Sequence, residues 1–198
     1  MSKTAIVVDG AYAYKTVKSI DTRYVPDYRK IRIVSEKLLF SNVVDARYFN
    51  SVDNDYETDE STNLFHDFLE KPYSEGGGGF KVKLYDLKED LLWWPDGTPV
   101  VHPITGKQFN HRKQRGVDVG IGFFTIASFI EHEWDHLVLF AGDSDFYDVV
   151  EHLVHVEGVK VTLIGCKGSI SGDLLKIATV WYLDDMGETF VHWTGRYS

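Results

Sequence analysis

The chain has 198 residues, 43% hydrophobic and 26% charged, which is enough to bury a sizeable core and excludes wholesale disorder. Its formal charge of −9, from 30 acidic and 21 basic side chains, excludes a protein that coats nucleic acid by bulk charge, though not one that binds it through a local basic strip and metal ions. Cys166 is the one cysteine, so an intrachain disulfide, a cysteine-rich zinc site and a C-x-x-C redox motif are all excluded.

The opening MSKTAIVVDG carries an apolar core too short for a signal peptide or a membrane span, so the expectation is a soluble, cytoplasmic protein. Thr4–Val8 (TAIVV) is a near-continuous hydrophobic run, as in a strand covered on both faces. Pro26 and Asp27 then signal the start of a helix over Tyr28–Phe40, where Ile31, Val34, Leu38 and Leu39 recur at intervals of three and four. Asn42–Tyr48 reads as a second strand, and Leu64–Leu69 as a helix whose N-terminus suits the acidic stretch Glu57–Glu60. Gly76–Gly79 is a joint, followed by a strand over Phe80–Leu84. Leu91–Trp94, the turn Pro95-Asp96-Gly97 and Thr98–Val101 then read as a hairpin, and Ile104–Lys107 as a further turn. Adjacent residues on a strand face opposite ways, so Trp93 and Trp94 are expected to divide, one packed and one exposed.

Val117–Glu131 and Phe146–Val156 read as helices, and His136–Ala141 and Val159–Ile164 as buried strands. The aromatic segment Thr179–Trp193 reads as an edge strand or hairpin. Strands alternating with helices predict a parallel sheet with right-handed crossovers. The expectation is an α/β fold in one domain spanning 1–198, with a β-hairpin insertion at about 87–112.

Aspartates sit at three element boundaries. Asp9 ends the first strand, Asp118 opens a helix, and Asp143 and Asp145 follow the third buried strand in LFAGDSDF. Strand ends of a parallel sheet share one edge, and sites form in the crevice there. Carboxylates gathered there raise one another's pKa, and a hard divalent ion removes that cost. Mg²⁺ or Mn²⁺ held by Asp9, Asp118, Asp143 and Asp145 would lower the pKa of a bound water and stabilise an in-line displacement at phosphorus. Taken singly, each aspartate reads as well as a turn former or helix cap. The sequence holds no G-x-S-x-G, Walker P-loop or H-E-x-x-H as a competing apparatus.

At these residues the chain resembles the NYN branch of the PIN-like nucleases. Val8-Asp9-Gly10, Gly116-Val117-Asp118-Val119 and Ala141-Gly142-Asp143-Ser144-Asp145-Phe146 match that family in order and character, as do Gly158–Val161, Leu163-Ile164-Gly165 and Ser171…Leu174…Ala178. The resemblance implies a PIN-like Rossmannoid three-layer fold, Mg²⁺- or Mn²⁺-dependent phosphodiester cleavage and RNA as substrate, single-stranded in the simplest case and cut endonucleolytically. It leaves residues 87–112 unexplained. The family's asparagine three residues after the first aspartate is Tyr12 here, and the acid two turns into the helix after Asp118 is replaced by Thr125.

No acidic residue lies between Asp96 and Asp118, an interval carrying Lys107, Arg112, Lys113 and Arg115. Arg112, Lys113 and Arg115 are candidates to hold phosphates beside the metal; Lys113 and Arg115 read equally as counter-ions to the acidic cluster. Tyr12 and Tyr14 could stack on a base or pack in the core. Arg29, Lys30 and Arg32 read as a solvated helix face. His132 and His136, four apart, show no convincing ligand spacing, and Cys166 reads as a small buried residue. The main rival is a PIN-like module that binds RNA or protein without cutting; a homo-oligomer or a protein partner stays open. A haloacid-dehalogenase phosphatase would need an aspartate where Ala11 stands, a Toprim site a glutamate after an earlier strand, and a dinucleotide site G-x-G-x-x-G instead of Gly10-Ala11-Tyr12.

Overall fold

The computed structural model describes residues 2–52 and 60–193, apart from the side chains of His111, Arg112 and Trp193. In chain order the elements are β1 (Ser2–Asp9), α1 (Gly10–Ile20), β2 (Tyr24–Pro26), α2 (Tyr28–Leu39), β3 (Ser41–Val52), α3 (Glu60–Glu70) and β4 (Lys81–Asp86). They continue with β5 (Lys88–Leu91), β6 (Asn110–Lys113), α4 (Val117–His132), β7 (His136–Phe140), α5 (Tyr147–His155) and β8 (Lys160–Gly165). The chain closes with α6 (Leu174–Ile177), β9 (Thr179–Tyr182), α7 (Leu183–Phe190) and β10 (Val191–Trp193). Glu57 to Asp59, part of the acidic stretch expected to lead into α3, lie outside the described residues.

Six strands form one parallel sheet in the order β4-β3-β1-β7-β8-β9. The first strand is central because its hydrophobics serve both faces. Ile6 and Val8 pack with Ala13 and Val17 of α1 and Ile31 of α2 on one side. Ala5 and Val7 pack with Val117 and Ile121 of α4 and Val150 and Leu153 of α5 on the other. Each such aliphatic side chain contributes roughly 1.5–3 kcal/mol on burial. The result is the expected three layers, helix over sheet over helix.

Most of the expected elements recur with shifted ends, and others are added. Helix α1 and the short strand β2 were not read from the sequence. The segment after Thr179 is an edge strand, but α7 follows it, and β10 then pairs antiparallel with β2 away from the main sheet. Composition suggested β structure there, whereas Leu183 and Phe190 are buried against α1 and α2 as one face of a helix. The basic group on α2 is also engaged: Arg32 Nη2 donates to the Val43 carbonyl at 3.0 Å, Lys30 Nζ donates to that of Val191 at 2.8 Å, and Arg29 lies over the Tyr73 ring. It is a set of struts, where a solvated face was expected.

Between β4 and α4 the chain forms a separate two-stranded ribbon, β5 with β6. Beyond it Trp94 N donates to Thr98 O across the Pro95-Asp96-Gly97 turn, and His102 N to Lys107 O across the next. Trp93 and Trp94 do not divide as expected; both are 57% exposed, because among the described residues no layer covers either face of this hairpin. No described helix is long and apolar enough to cross a membrane.

Candidate active site

Val8 of β1 pairs with Phe140 of β7, so Asp9 and the segment Ala141–Asp145 leave the sheet side by side at the same edge. Asp9 also caps α1, its carboxylate accepting from Tyr12 N at 3.0 Å. Asp143 caps the tight turn Ser144–Phe146 by accepting from Asp145 N at 3.1 Å. Asp143 thus caps the turn that leads into α5, which itself starts after Phe146 without a side-chain cap. Asp118 lies in the first turn of α4, whose entry is made by Gly116 at φ 82. Helix N-termini favour negative charge, so this placement stabilises each carboxylate locally.

Asp118 and Asp143 lie within electrostatic reach of Asp9, and Asp143 and Asp145 within reach of Asp118. Burial pushes the Asp9 carboxyl above the ordinary range, and Asp118 and Asp143 push it further, against the lowering hydrogen bonds of Tyr12 and Ala11. Asp118 is raised likewise, first by burial, then by Asp143 and Asp145. No lysine or arginine figures among the leading influences on either. Lys113 Nζ and Arg115 Nη2 instead face Asp90 Oδ2 of β5, at 3.4 and 2.5 Å. They are therefore not counter-ions of the acidic cluster, one of the two roles expected for them. The Arg112 side chain lies outside the described residues.

Tyr12 is committed to protein contacts. Its ring meets Phe140 edge-on at 6.2 Å, and its hydroxyl lies 2.6 Å from Ser169 Oγ, which in turn accepts from Cys166 N at 3.0 Å. Ser171 N donates to Gly142 O at 2.8 Å. The loop after β8 is thereby tied both to α1 and to the backbone immediately before Asp143. This bracing is the site feature that sequence reading missed; the apolar pair Ala13 and Val17, four apart after Asp9, could have marked α1 but not the contact of Tyr12 with Ser169. Of the other residues singled out, Thr125 is buried on α4, and Cys166, directly after β8, is buried with its thiol toward the Thr16 carbonyl of α1. His136 Nε2 lies 2.8 Å from Thr162 Oγ1, and burial holds its pKa down to about 4.

Gly142 is required where it stands. A Cβ there would lie 2.5 Å from the Ser169 carbonyl and 2.5 Å from Tyr12 Oη. Gly142→Ala is expected to force the loop after β8 away from Asp143 and to destabilise the fold by about 1–3 kcal/mol, read as a lower midpoint in urea. An unchanged midpoint would mean that the loop yields freely.

The profile of the NYN domain matches residues 3–184, nearly the whole chain. The chain belongs to the NYN domain family. NYN domains are PIN-like and generally nucleases, so a hydrolase role acting on nucleic acid follows for the family as a whole. The NYN chain is also similar to the crystal structure of a protein of unknown function from Vibrio parahaemolyticus, with TM-score 0.63 and 26% identity over 96% of both chains. MurG from Acinetobacter baumannii overlays at TM-score 0.41 with 9% identity, over 91% of this chain and 41% of that one, a likeness too slight to bear on function. No curated protein matches the sequence.

Proposed function

We propose that this NYN domain is a metal-dependent ribonuclease whose acidic site is Asp9, Asp118, Asp143 and Asp145. The observation that carries the reading is that Asp9 and Asp118, raised first by burial, are raised further by neighbouring acids at one sheet edge, Asp9 by Asp118 and Asp143 and Asp118 by Asp143 and Asp145, with no basic side chain prominent among those influences. A donor set that is all oxygen, anionic and self-repelling fits a hard divalent ion. Among the described residues no three His, Cys, Asp or Glu side chains are disposed to hold one ion together. The set therefore fits Mg²⁺ or Mn²⁺ retaining most of its own waters on one or two carboxylates, the usual habit of Mg²⁺. When bound, the ion would supply a water of lowered pKa and neutralise charge on the phosphoryl oxygens.

Asp9 and Asp143, fixed by their caps, would hold the ion, and Asp118 and Asp145 would orient its waters. Arg112, Lys113 and Arg115, on the ribbon that leads into α4, would hold phosphates flanking the scissile bond. For Lys113 and Arg115 this means exchanging Asp90 for phosphate; both are more than half exposed and free to swing.

The purified protein is expected to cut single-stranded RNA with Mg²⁺ or Mn²⁺ and to be silent in EDTA. In the absence of RNA, Mn²⁺ at roughly a hundred times its dissociation constant should raise the melting midpoint by about 5–10 °C. The lack of a three-ligand group among the described residues keeps one rival, a domain that binds RNA without cutting. A folded protein that binds Mn²⁺ and RNA, yet cuts neither RNA nor DNA, would establish that rival.

A further inference from the structure

On the α1 and α2 side of the sheet, directly beside Asp9, lies a cleft of about 1220 Å³. Gly10 and Ala11, the two residues after Asp9, form part of its wall. Gly10 keeps this wall thin: a Cβ there would meet the buried Tyr48 hydroxyl at 2.3 Å. The end of β3 supplies Tyr48 and Asn50, α2 supplies Tyr28, and α3 supplies Phe65 and Phe68. Tyr28, Tyr48 and Phe65 form a close-packed aromatic floor, with ring centroids 5.4–5.8 Å apart. Above it two large rings remain open to solvent, Tyr14 of α1 at 54% and Phe68 of α3 at 39%.

We propose that this cleft receives one unstacked base of the RNA chain next to the scissile phosphate, and so sets where the strand is cut. The inference rests on the ribonuclease reading. Three features select a base over the other parts of a nucleotide. First, Tyr14, Tyr28, Tyr48, Phe65 and Phe68 all line the cleft, and aromatic rings are what proteins use to stack unpaired bases. Second, the cleft's one arginine among its lining residues, Arg29, lies over the Tyr73 ring and is matched by Asp27, so the lining offers no surplus positive charge to a phosphate and leaves the neutral base as the part that fits.

Third, one fixed amide faces the cleft. Asn50 Nδ2 donates to Tyr48 Oη at 3.0 Å and its Oδ1 accepts from Ser51 N at 2.9 Å. Those bonds lock the amide plane while leaving one N–H and one lone pair for a base edge. The ribose-phosphate chain then runs from the cleft past Gly10 to the acidic site. Phosphate goes to the metal and the basic ribbon, and the base goes to the opposite wall.

The test is equilibrium binding of fluorescent eight-nucleotide homopolymers of A, C, G and U, in EDTA and in Mg²⁺, by wild type, Tyr14→Ala, Phe68→Ala and Asn50→Ala, with thermal melts to show that each is folded. Cleavage sites are mapped in parallel on a mixed-sequence RNA. Tyr14→Ala and Phe68→Ala should each weaken binding by about tenfold, near the lower end for loss of one stacked base. Asn50→Ala should level the differences among the four homopolymers and scatter the mapped cleavage sites. Weaker binding by the variants, in a protein that never cuts RNA, would sustain the cleft and overturn the nuclease reading. Cutting with unchanged affinity, base preference and cleavage sites in all three folded variants would overturn the cleft and leave the nuclease standing. A wild type that binds none of the homopolymers would overturn both.

Discussion

Asp143→Asn is expected to abolish metal-dependent cleavage, by at least about a hundredfold, while leaving the fold intact. The amide is nearly isosteric and can still accept from Asp145 N, so the turn Ser144–Phe146 keeps its cap. As a neutral group it is a poorer ligand for a hard cation, so metal affinity and activity should fall together. Stability should move the other way in metal-free buffer. Asp9 and Asp118 are raised first by burial and then in part by the charge of Asp143. A carboxyl whose folded pKa exceeds its unfolded one binds its proton more tightly when folded. Its ionisation therefore penalises the fold as pH rises from the unfolded value through the folded one. Removing the Asp143 charge lessens that penalty, so the variant should match or exceed wild type at neutral pH without metal, and Mn²⁺ should raise only the wild-type midpoint. Activity surviving in the folded variant would sink the site assignment.

Asp45→Ala should produce the largest loss of stability, about 3–5 kcal/mol, the usual cost of removing one partner of a buried ion pair. Asp45 is 4% exposed and stands at the register shift where β3 gains a residue against Thr4 and Ala5 of β1. It lies 2.6 Å from Arg47 Nε and 2.9 Å from Lys81 Nζ, and accepts from Ser128 Oγ at 2.6 Å; that hydroxyl also accepts from Trp134 Nε1 at 3.1 Å. One carboxylate thus joins β3, β4 and α4. Lys81 can swing into water when it is lost, but Arg47, only 12% exposed, cannot. Asp45→Asn keeps an acceptor for Ser128 and should cost less. Burial pushes this carboxyl up, yet the hydrogen bonds from Ser128, Arg47 and Lys81 outweigh it and hold the pKa below the ordinary range. Its contribution is therefore present above the unfolded value and fades as pH falls through the folded one. The gap between wild type and Asp45→Ala in urea should narrow in acid; a gap below about 1 kcal/mol at neutral pH would refute the network's role.

What could be read from the sequence was whatever short-range pattern dictates. The buried strands announced themselves because a parallel strand covered on both faces must be almost wholly apolar, as in Ile6–Val8 and Leu137–Phe140. The placement of Asp9, Asp118 and Asp143 followed from strand ends and a helix start. Helix α1 escaped because its tyrosines and alanines alternate as a strand would, while only Ala13, Thr16 and Val17 mark the buried side. Helix α7 was masked by neighbouring aromatics, although Asp184 and Asp185 in its first turn were a legible start signal. The Asp45 network and the Tyr12–Ser169 brace join residues 83 and 157 positions apart; no local periodicity encodes such pairs.

The strand order has a consequence for how the protein is made. Of the six strands of the sheet, β1 is synthesised before the others, yet it sits in the interior. Its β3 edge can be closed after Val52, but its other edge stays open until His136–Phe140 has been synthesised. Throughout that interval Asp9 lacks Asp143, and until α4 has been synthesised it lacks Asp118 as well. The repulsion among the carboxylates is thus absent from the early half-sheet and arises only as the second half docks. Folding meets its electrostatic opposition in the final closure, the one step that a divalent ion at the site would favour most.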